Sequence, residues 1–181
     1  MLLNYKVTEV ISSGNDTLQF LQTDTTLMIY LADRAVYGDE TTFKIKYYGK
    51  DPETGMHFID ERPDNPEMAV ANSWPDKAHH WFPCNDVSHD KVTQEVIVHI
   101  PAYYKALSNG KLQSVRSFKE GICTWHWKQD LPHSTYLFML AVGPFEVIRD
   151  SLDTLPVDHW IYSGNTYKSP EVWLSDRSEY S

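Results

Sequence analysis

The sequence has few cysteines, no long apolar run and no excess of basic residues, which are the features of disulfide-rich, membrane-spanning and nucleic-acid-binding proteins. Its 181 residues include only two cysteines, Cys84 and Cys123, so a disulfide framework is not implied. It has no run of about 18 apolar residues to span a bilayer, and its first residues lack the features of a signal peptide. Its 16 basic residues are outnumbered by 25 acidic ones, and the formal net charge of -9 disfavours nucleic acid as a partner. These absences predict a soluble chain and leave its compartment open.

The sequence does have enough apolar and aromatic residues for a core, and they alternate with polar ones at the period of a β-strand. In residues 43–47, Phe43, Ile45 and Tyr47 share one face of a predicted half-buried strand. Similar runs are residues 27–31, 96–100 and 123–127, while the more continuously apolar run 136–148 predicts a central strand covered on both faces. Only residues 101–107 and 169–180 are compatible with short helices. We therefore expect an all-β fold: a saddle-like β-sandwich or strongly curved antiparallel sheets, with few short helices.

The pattern changes near residue 151, where polar turns and isolated aromatics replace sustained alternation. We therefore expect a β domain over residues 1–150, followed by a connecting segment over residues 151–181. The aromatic side chains of that segment, Trp160, Tyr162 and Trp173, should pack on the β domain or on a neighbouring domain.

Residues 74–101 concentrate the side chains that could carry chemistry. His79, His80, Cys84 and His89 are zinc-ligand types, but no CxxC or HxxxH pair occurs, so no metal site is predicted. Cys84 lacks the neighbours that would lower a thiol pKa, and a structural cysteine is the better interpretation. Asp86 and Asp90 fit turn-forming positions better than acid-base catalysis. The cluster is more typical of a loop at the edge of a sheet than of a catalytic site.

The same stretch resembles a known family. His79-x-Trp81-x-Pro83-Cys84-x-Asp86, followed by Ser88-x-x-Lys91-Val92-Thr93, resembles the signature of the N-terminal β domain of the aminopeptidase N family of zinc metallopeptidases, which includes leukotriene hydrolase relatives. The segments YYGKDPETG with GMHFID, and YLFMLAVGPFEVI, resemble further motifs of that domain. The resemblance covers residues 5–150 in matching order, and its structural signature residues are Trp81, Pro83, Cys84, Asp86, Asp90 and Lys91.

The resemblance implies a non-catalytic domain that packs on a zinc-containing catalytic domain and helps to form the substrate cleft. The family's H-E-x-x-H zinc motif and G-x-M-E-N loop do not occur in this sequence, so no catalytic residue and no zinc ligand is expected here. The family also implies a polar side chain that binds the substrate's free amine, for which Asn72 and Glu67 are the candidates. It further implies strands ahead of residue 5, and we expect self-association through strand edges left unpaired without them.

Two other functions fit the residues. A non-enzymatic β-sandwich could bind carbohydrate or protein through aromatic pairs such as Trp125 with Trp127 and Tyr103 with Tyr104, although strand spacing places the two tryptophans on a core face. A self-contained hydrolase built on His79, His80 and Asp86 would need a pocket that one loop can hardly enclose. The sequence therefore favours a domain of a zinc aminopeptidase that hydrolyses N-terminal peptide bonds and is inactive alone.

Overall fold

The computed structural model describes residues 5–50, 52, 54–63 and 66–162, and β-strands are the dominant regular structure among them. The strands, in chain order, are β1 (Tyr5–Ser12), β2 (Phe20–Gln22), β3 (Leu27–Ile29), β4 (Phe43–Gly49), β5 (Met56–Ile59), β6 (Met68–Ala71), β7 (Lys91–Pro101), β8 (Lys105–Ser108), β9 (Lys111–Lys119), β10 (Ile122–Ser134), β11 (Leu140–Gly143), β12 (Phe145–Leu152) and β13 (Leu155–Tyr162). Two short 3-10 helices, η1 (Ala78–His80) and η2 (Thr135–Leu137), interrupt them. Within these ranges, no helix is both long enough and apolar enough to cross a membrane.

All of the strand pairs in this part of the chain are antiparallel, which confirms the predicted all-β class. A four-stranded sheet has the order β5-β6-β11-β8, and a three-stranded sheet has the order β7-β10-β9. The pairs β1-β4, β2-β3 and β12-β13 form two-stranded sheets. The pairing register of β10 shifts at 122–123 and 126–127 against β9 and at 129–133 against β7, and such irregularities bend a strand.

Two apolar clusters form the core. In the first, Tyr5, Val7 and Val10 of β1 are buried under side chains of the following segments, namely Leu18, Phe20, Leu27, Ile29 and Ile45. In the second, Ile100, Ala106 and Val142 join β7, β8 and β11, with Trp125 packed against them. Alternation along β7 places Val96, Val98 and Ile100 on the covered face, as the sequence predicts, and Gln94 lies on the same face.

Two local predictions are wrong. Residues 136–148 do not form one central strand, because Pro144 has no N–H for a ladder and separates β11 from β12, which belong to different sheets. Residues 101–107 do not form a helix: the Tyr104 N–H donates to the carbonyl of Pro101, and the chain then enters β8, where Ala106 pairs with Val142 and is fully buried. The second helix prediction, 169–180, lies outside the described residues.

The hairpin of β12 and β13 covers one side of the three-stranded sheet. Trp160 lies at its centre, with its ring 6.3 Å from both Trp125 and Trp127 and 6.1 Å from Phe145. Tyr162 stacks on Phe145 from the same hairpin at 5.7 Å. Trp173 lies outside the described residues, and the predicted boundary at residue 150 stays a prediction.

Candidate functional site

The signature loop runs from the end of β6 to the start of β7, residues 72–90, and short local hydrogen bonds shape it. The Lys77 N–H donates to the Ser73 carbonyl at 2.8 Å, and η1 follows directly. The N–H groups of Trp81 and Phe82 both donate to the carbonyl of Ala78, at 3.1 and 3.2 Å. Ala78 is fully buried, so this turn is anchored by its smallest side chain.

Asp86 is the hydrogen-bonding centre of the loop. One carboxylate oxygen accepts from the backbone N–H of His79 at 3.2 Å and lies 2.8 Å from His79 Nδ1, while the other accepts from Thr135 Oγ1 at 2.7 Å. The Asp86 side chain is only 8% exposed. Burial alone would raise the pKa of Asp86, but the hydrogen bonds from Thr135 and His79 outweigh it and hold that pKa below its ordinary value. Asp86 is therefore an ionised structural acceptor.

Aromatic residues tie the loop to η2, a connection that the sequence analysis missed. Trp81 Nε1 donates to the hydroxyl of Ser73 at 3.1 Å, and that hydroxyl donates to the carbonyl of Phe138 at 2.8 Å. The rings of Phe82 and Phe138 stack at 5.2 Å, nearly parallel at 8°. Thr135 and Phe138 lie some fifty residues further along the chain, and nothing in their local sequence signals this role.

Cys84 faces the first core cluster. Burial, and then the negative charge of Asp86, raise the pKa of the Cys84 thiol to about 12. Together with Pro83 and His79 it lines an apolar cleft of about 440 Å³ between the loop and the strands β3 and β4. His79 lines the same cleft with its Nδ1 on Asp86, and the burial of the Cys84 thiol agrees with a structural cysteine.

Asp90 and Lys91 close the loop onto β7. Asp90 accepts a hydrogen bond from the Asn85 side-chain amide at 2.7 Å, and its N–H donates to the Val87 carbonyl at 3.1 Å. Lys91 begins β7 and pairs with Ser134 at the far end of β10. Both residues thus take turn and strand positions in the structure.

The two candidate amine-binding residues lie at opposite ends of β6. Asn72 Oδ1 accepts the Trp74 N–H at 3.3 Å, ahead of the cis Trp74–Pro75 bond, and Trp74 is 65% exposed beside it. Glu67 accepts the phenol hydrogen bond of Tyr104 at 2.9 Å. Partial burial and this bond to Glu67 raise the pKa of Tyr104. Since a strand rises about 3.3 Å per residue, Glu67 and Asn72 are about 16 Å apart, and a single amine can reach only one of them.

The residues that the structure describes do not group into a zinc site. Across the described ranges, no three His, Cys, Asp or Glu side chains are placed to hold a metal ion. The Nδ1 atom of His79 is already paired with Asp86. His79 and His80 have adjacent rings, with centroids 4.3 Å apart, but a structural zinc site needs four ligands.

Trp125 and Trp127 of β10 are not an open, exposed stacking surface. Trp127 is 8% exposed and its indole N–H donates to the Ala106 carbonyl at 3.0 Å, while Trp125 is half-buried on the same face. Tyr103 is largely exposed, in an edge contact with Tyr104 at 4.3 Å. The two tryptophans are part of the packing between a sheet and a hairpin.

Comparison with known proteins agrees with the signature. A segment of the chain is 29% identical over 126 residues to glutamyl aminopeptidase of Sus scrofa, covering 63% of this chain and 13% of that protein. A segment is 28% identical over 108 residues to transcription initiation factor TFIID subunit 2 of Gallus gallus, covering 55% of this chain and 9% of that protein.

A solved structure shares the fold: a mutant M1 zinc metallopeptidase of Deinococcus radiodurans bound to the substrate Tyr-Ser-Ala, with a TM-score of 0.74 and 23% identity. The superposition covers 97% of this chain and 42% of that one, so all three relatives are much longer than the chain they match. At this identity the structural likeness shows the fold alone. Residues 3–137 match the peptidase M1 N-terminal domain family, and the chain therefore belongs to that family.

Proposed function

We propose that this chain is the substrate-side β domain of a zinc metallo-aminopeptidase that removes N-terminal residues from peptides. The observation that carries the proposal is the family match over residues 3–137, together with the similarity to glutamyl aminopeptidase. The domain would have no catalytic residue of its own and would be inactive alone. Zinc and its ligands would be supplied by a catalytic domain, since the described residues offer no zinc site.

Asn72 would bind the free amine of the substrate, as one wall of the cleft. Its carbonyl oxygen has two lone pairs, one of which accepts the Trp74 N–H, so the second is available to an ammonium group. The next residue, Ser73, is held by Trp81 and Phe138, which fixes the backbone that carries Asn72. The hydrogen bonds of Asp86 hold the loop itself, so the signature would act as a positioning element and not as a catalyst.

Glu67 is the alternative amine-binding residue. It carries the charge that an ammonium ligand favours, but it lies at the other end of β6 and is hydrogen-bonded to Tyr104. The separation of about 16 Å means that substitutions at the two positions should have very different effects on substrate binding.

The test is to express the longest reading frame that contains this chain and to measure zinc content and the hydrolysis of aminoacyl-nitroanilides. Asn72→Ala should raise KM about ten- to hundredfold, since a hydrogen bond to a charged group contributes about 1.5–3 kcal/mol. Glu67→Gln should leave KM within twofold, and Gln113→Ala, an exposed amide on β9, is the matched control. A zinc-loaded, active enzyme with an unchanged KM for Asn72→Ala would refute the amine-binding role alone.

A second candidate is a non-enzymatic, protein-binding domain. The similarity to a subunit of a transcription initiation factor favours it, because that relative is named for an assembly and not for hydrolysis. In that case the same full-length protein would contain no stoichiometric zinc and would leave aminoacyl-nitroanilides intact. The zinc measurement therefore separates the two candidates before any kinetics are recorded.

A further inference from the structure

A groove with a tryptophan floor and a basic rim lies between β9, β10 and the β12-β13 hairpin. Its volume is about 540 Å³, within the range of natural ligand sites. Its apolar lining consists of Trp125, Trp127 and Trp160, here called the floor, together with Leu112 and Val147, and Trp127 contributes little exposed surface. No residue of the signature loop or of the proposed amine site lines this groove.

The rim of the groove carries three cations and one carboxylate: Lys105, Lys111 and Arg149 against Asp158. Lys105 Nζ donates to the Phe145 carbonyl at 2.6 Å, which fixes its position and leaves two of its three hydrogens for another acceptor. Arg149 and Asp158 face each other in the ladder, yet among the described residues no ion pair joins them. A local excess of two positive charges on a chain with a net charge of -9 selects an acidic occupant.

The chain itself presents a segment of the complementary chemistry, residues 33–40 (DRAVYGDE). The Asp39 N–H donates to the Val36 carbonyl at 3.1 Å, and the Val36 N–H donates to the Asp39 carboxylate at 2.8 Å. These two bonds close a tight turn, with Gly38 at φ +95 as its third residue, the position where such turns favour glycine. Tyr37 is at the tip and is fully exposed.

This turn is acidic as well as aromatic. Asp33, Asp39 and Glu40 outnumber Arg34, so the segment has a net charge of about -2, opposite in sign to the rim of the groove. Val36 is 61% exposed next to Tyr37, and the pair forms an apolar tip flanked by carboxylates. Because the two hydrogen bonds already fix the turn, little conformational entropy would be lost on binding.

The geometry points to self-association of this chain by docking of the 33–40 turn of one copy into the tryptophan groove of another. Tyr37 would lie against Trp160, and Asp33 or Glu40 would meet Lys111 and Arg149. The turn and the groove are different surfaces, so the contact is heterologous. Such a contact produces either a closed ring or an open assembly that grows as the protein concentration rises. A single turn buries a small area, so the association is weak and depends on salt.

The test is sedimentation velocity of the 181-residue chain over a range of concentrations, at low and high salt. We expect the weight-average sedimentation coefficient to rise with concentration at low salt and the rise to shrink at high salt. Arg149→Glu should raise the dissociation constant about tenfold or more, because it places like charges together. Arg116→Glu, an equal charge reversal on an exposed β9 position outside the groove, should leave it unchanged.

Two further variants identify the surface. Tyr37→Ser should abolish association, whereas Tyr48→Ser, at a 60% exposed tyrosine on β4, should not. The exchange Glu40→Arg with Arg149→Glu in one chain should recover part of the affinity that Arg149→Glu loses. A monomer at every concentration would overturn the proposal. The proposal would also be overturned if Tyr48→Ser abolished association and Tyr37→Ser did not, because the contact would then belong to the edge of β4.

Discussion

Removing the carboxylate of Asp86 tests whether the signature loop is a structural device. In Asp86→Ala the hydroxyl of Thr135, a residue that is only 3% exposed, loses its acceptor at 2.7 Å. His79 loses the contact of its Nδ1 at 2.8 Å and the hydrogen bond of its backbone N–H at 3.2 Å. An unsatisfied buried donor costs about 1–3 kcal/mol. Water can reach the partly exposed His79, so we expect the Thr135 bond to dominate and the total loss to be about 1–3 kcal/mol.

Urea unfolding monitored by tryptophan fluorescence measures this loss. With an m-value of about 2 kcal/mol/M, the midpoint should fall by about 0.5–1.5 M. Asp86→Asn should lose less than Asp86→Ala, since an amide oxygen can still accept from Thr135. In a double-mutant cycle with Thr135→Val, the two substitutions should be strongly non-additive. An Asp86→Ala chain as stable as the wild type would refute this account of the loop.

The pH dependence supplies an independent check on the same residue. The folded-state pKa of Asp86 lies below its ordinary value of 3.8, so the unfolded chain binds the proton more readily. The contribution of this carboxylate to stability is therefore fully present above that ordinary value and is lost as the pH falls through the lower, folded pKa. Asp86→Asn should remove this part of the acid sensitivity. An unchanged acid profile would mean that other carboxylates set it.

Two further predictions concern the thiol and the turns. Because burial raises the pKa of Cys84 to about 12, this thiol should react with a thiol reagent at pH 8 far more slowly in the folded chain than in urea. A Cys123→Ala background leaves Cys84 as the one reacting thiol in this measurement. Equal reaction rates in the two conditions would contradict the burial of Cys84. Gly110→Ala should lower the free energy of unfolding in urea by about 3 kcal/mol, because φ is +85 and a Cβ would lie 2.1 Å from the Lys128 carbonyl oxygen. Gly121→Ala, at φ +72 with open space around it, should lower it by about 1 kcal/mol. Equal losses at the two glycines would show that backbone strain alone matters.

Strands with strict alternation could be located from the sequence, because the period of two is a local property. β4, β7 and β10 are where the alternation of Phe43, Val96 and Trp125 with their polar neighbours placed them. The apolar run 136–148 could not be resolved in the same way, since continuous apolarity does not record which sheet each part joins. Pro144 was the one local sign of the break.

The signature residues could be named from the sequence, but their partners could not. Asp86 was identified by its motif, whereas Thr135 and Phe138 are linked to the loop only because β10 leads the chain back to it. Likewise, Asn72 and Glu67 are close in sequence, and only the extended conformation of β6 separates them by about 16 Å.

The sequence by itself determined the strand content, the family resemblance and the acidic surface, because composition, alternation and short motifs are properties of neighbouring residues. Tertiary structure alone decided which distant groups meet: Trp160 over Trp125 and Trp127, Thr135 on Asp86, and three cations around one groove. The physical reason is that such contacts depend on how sheets pair and bend, and pairing between distant strands is set by the burial of the whole core and not by any one segment.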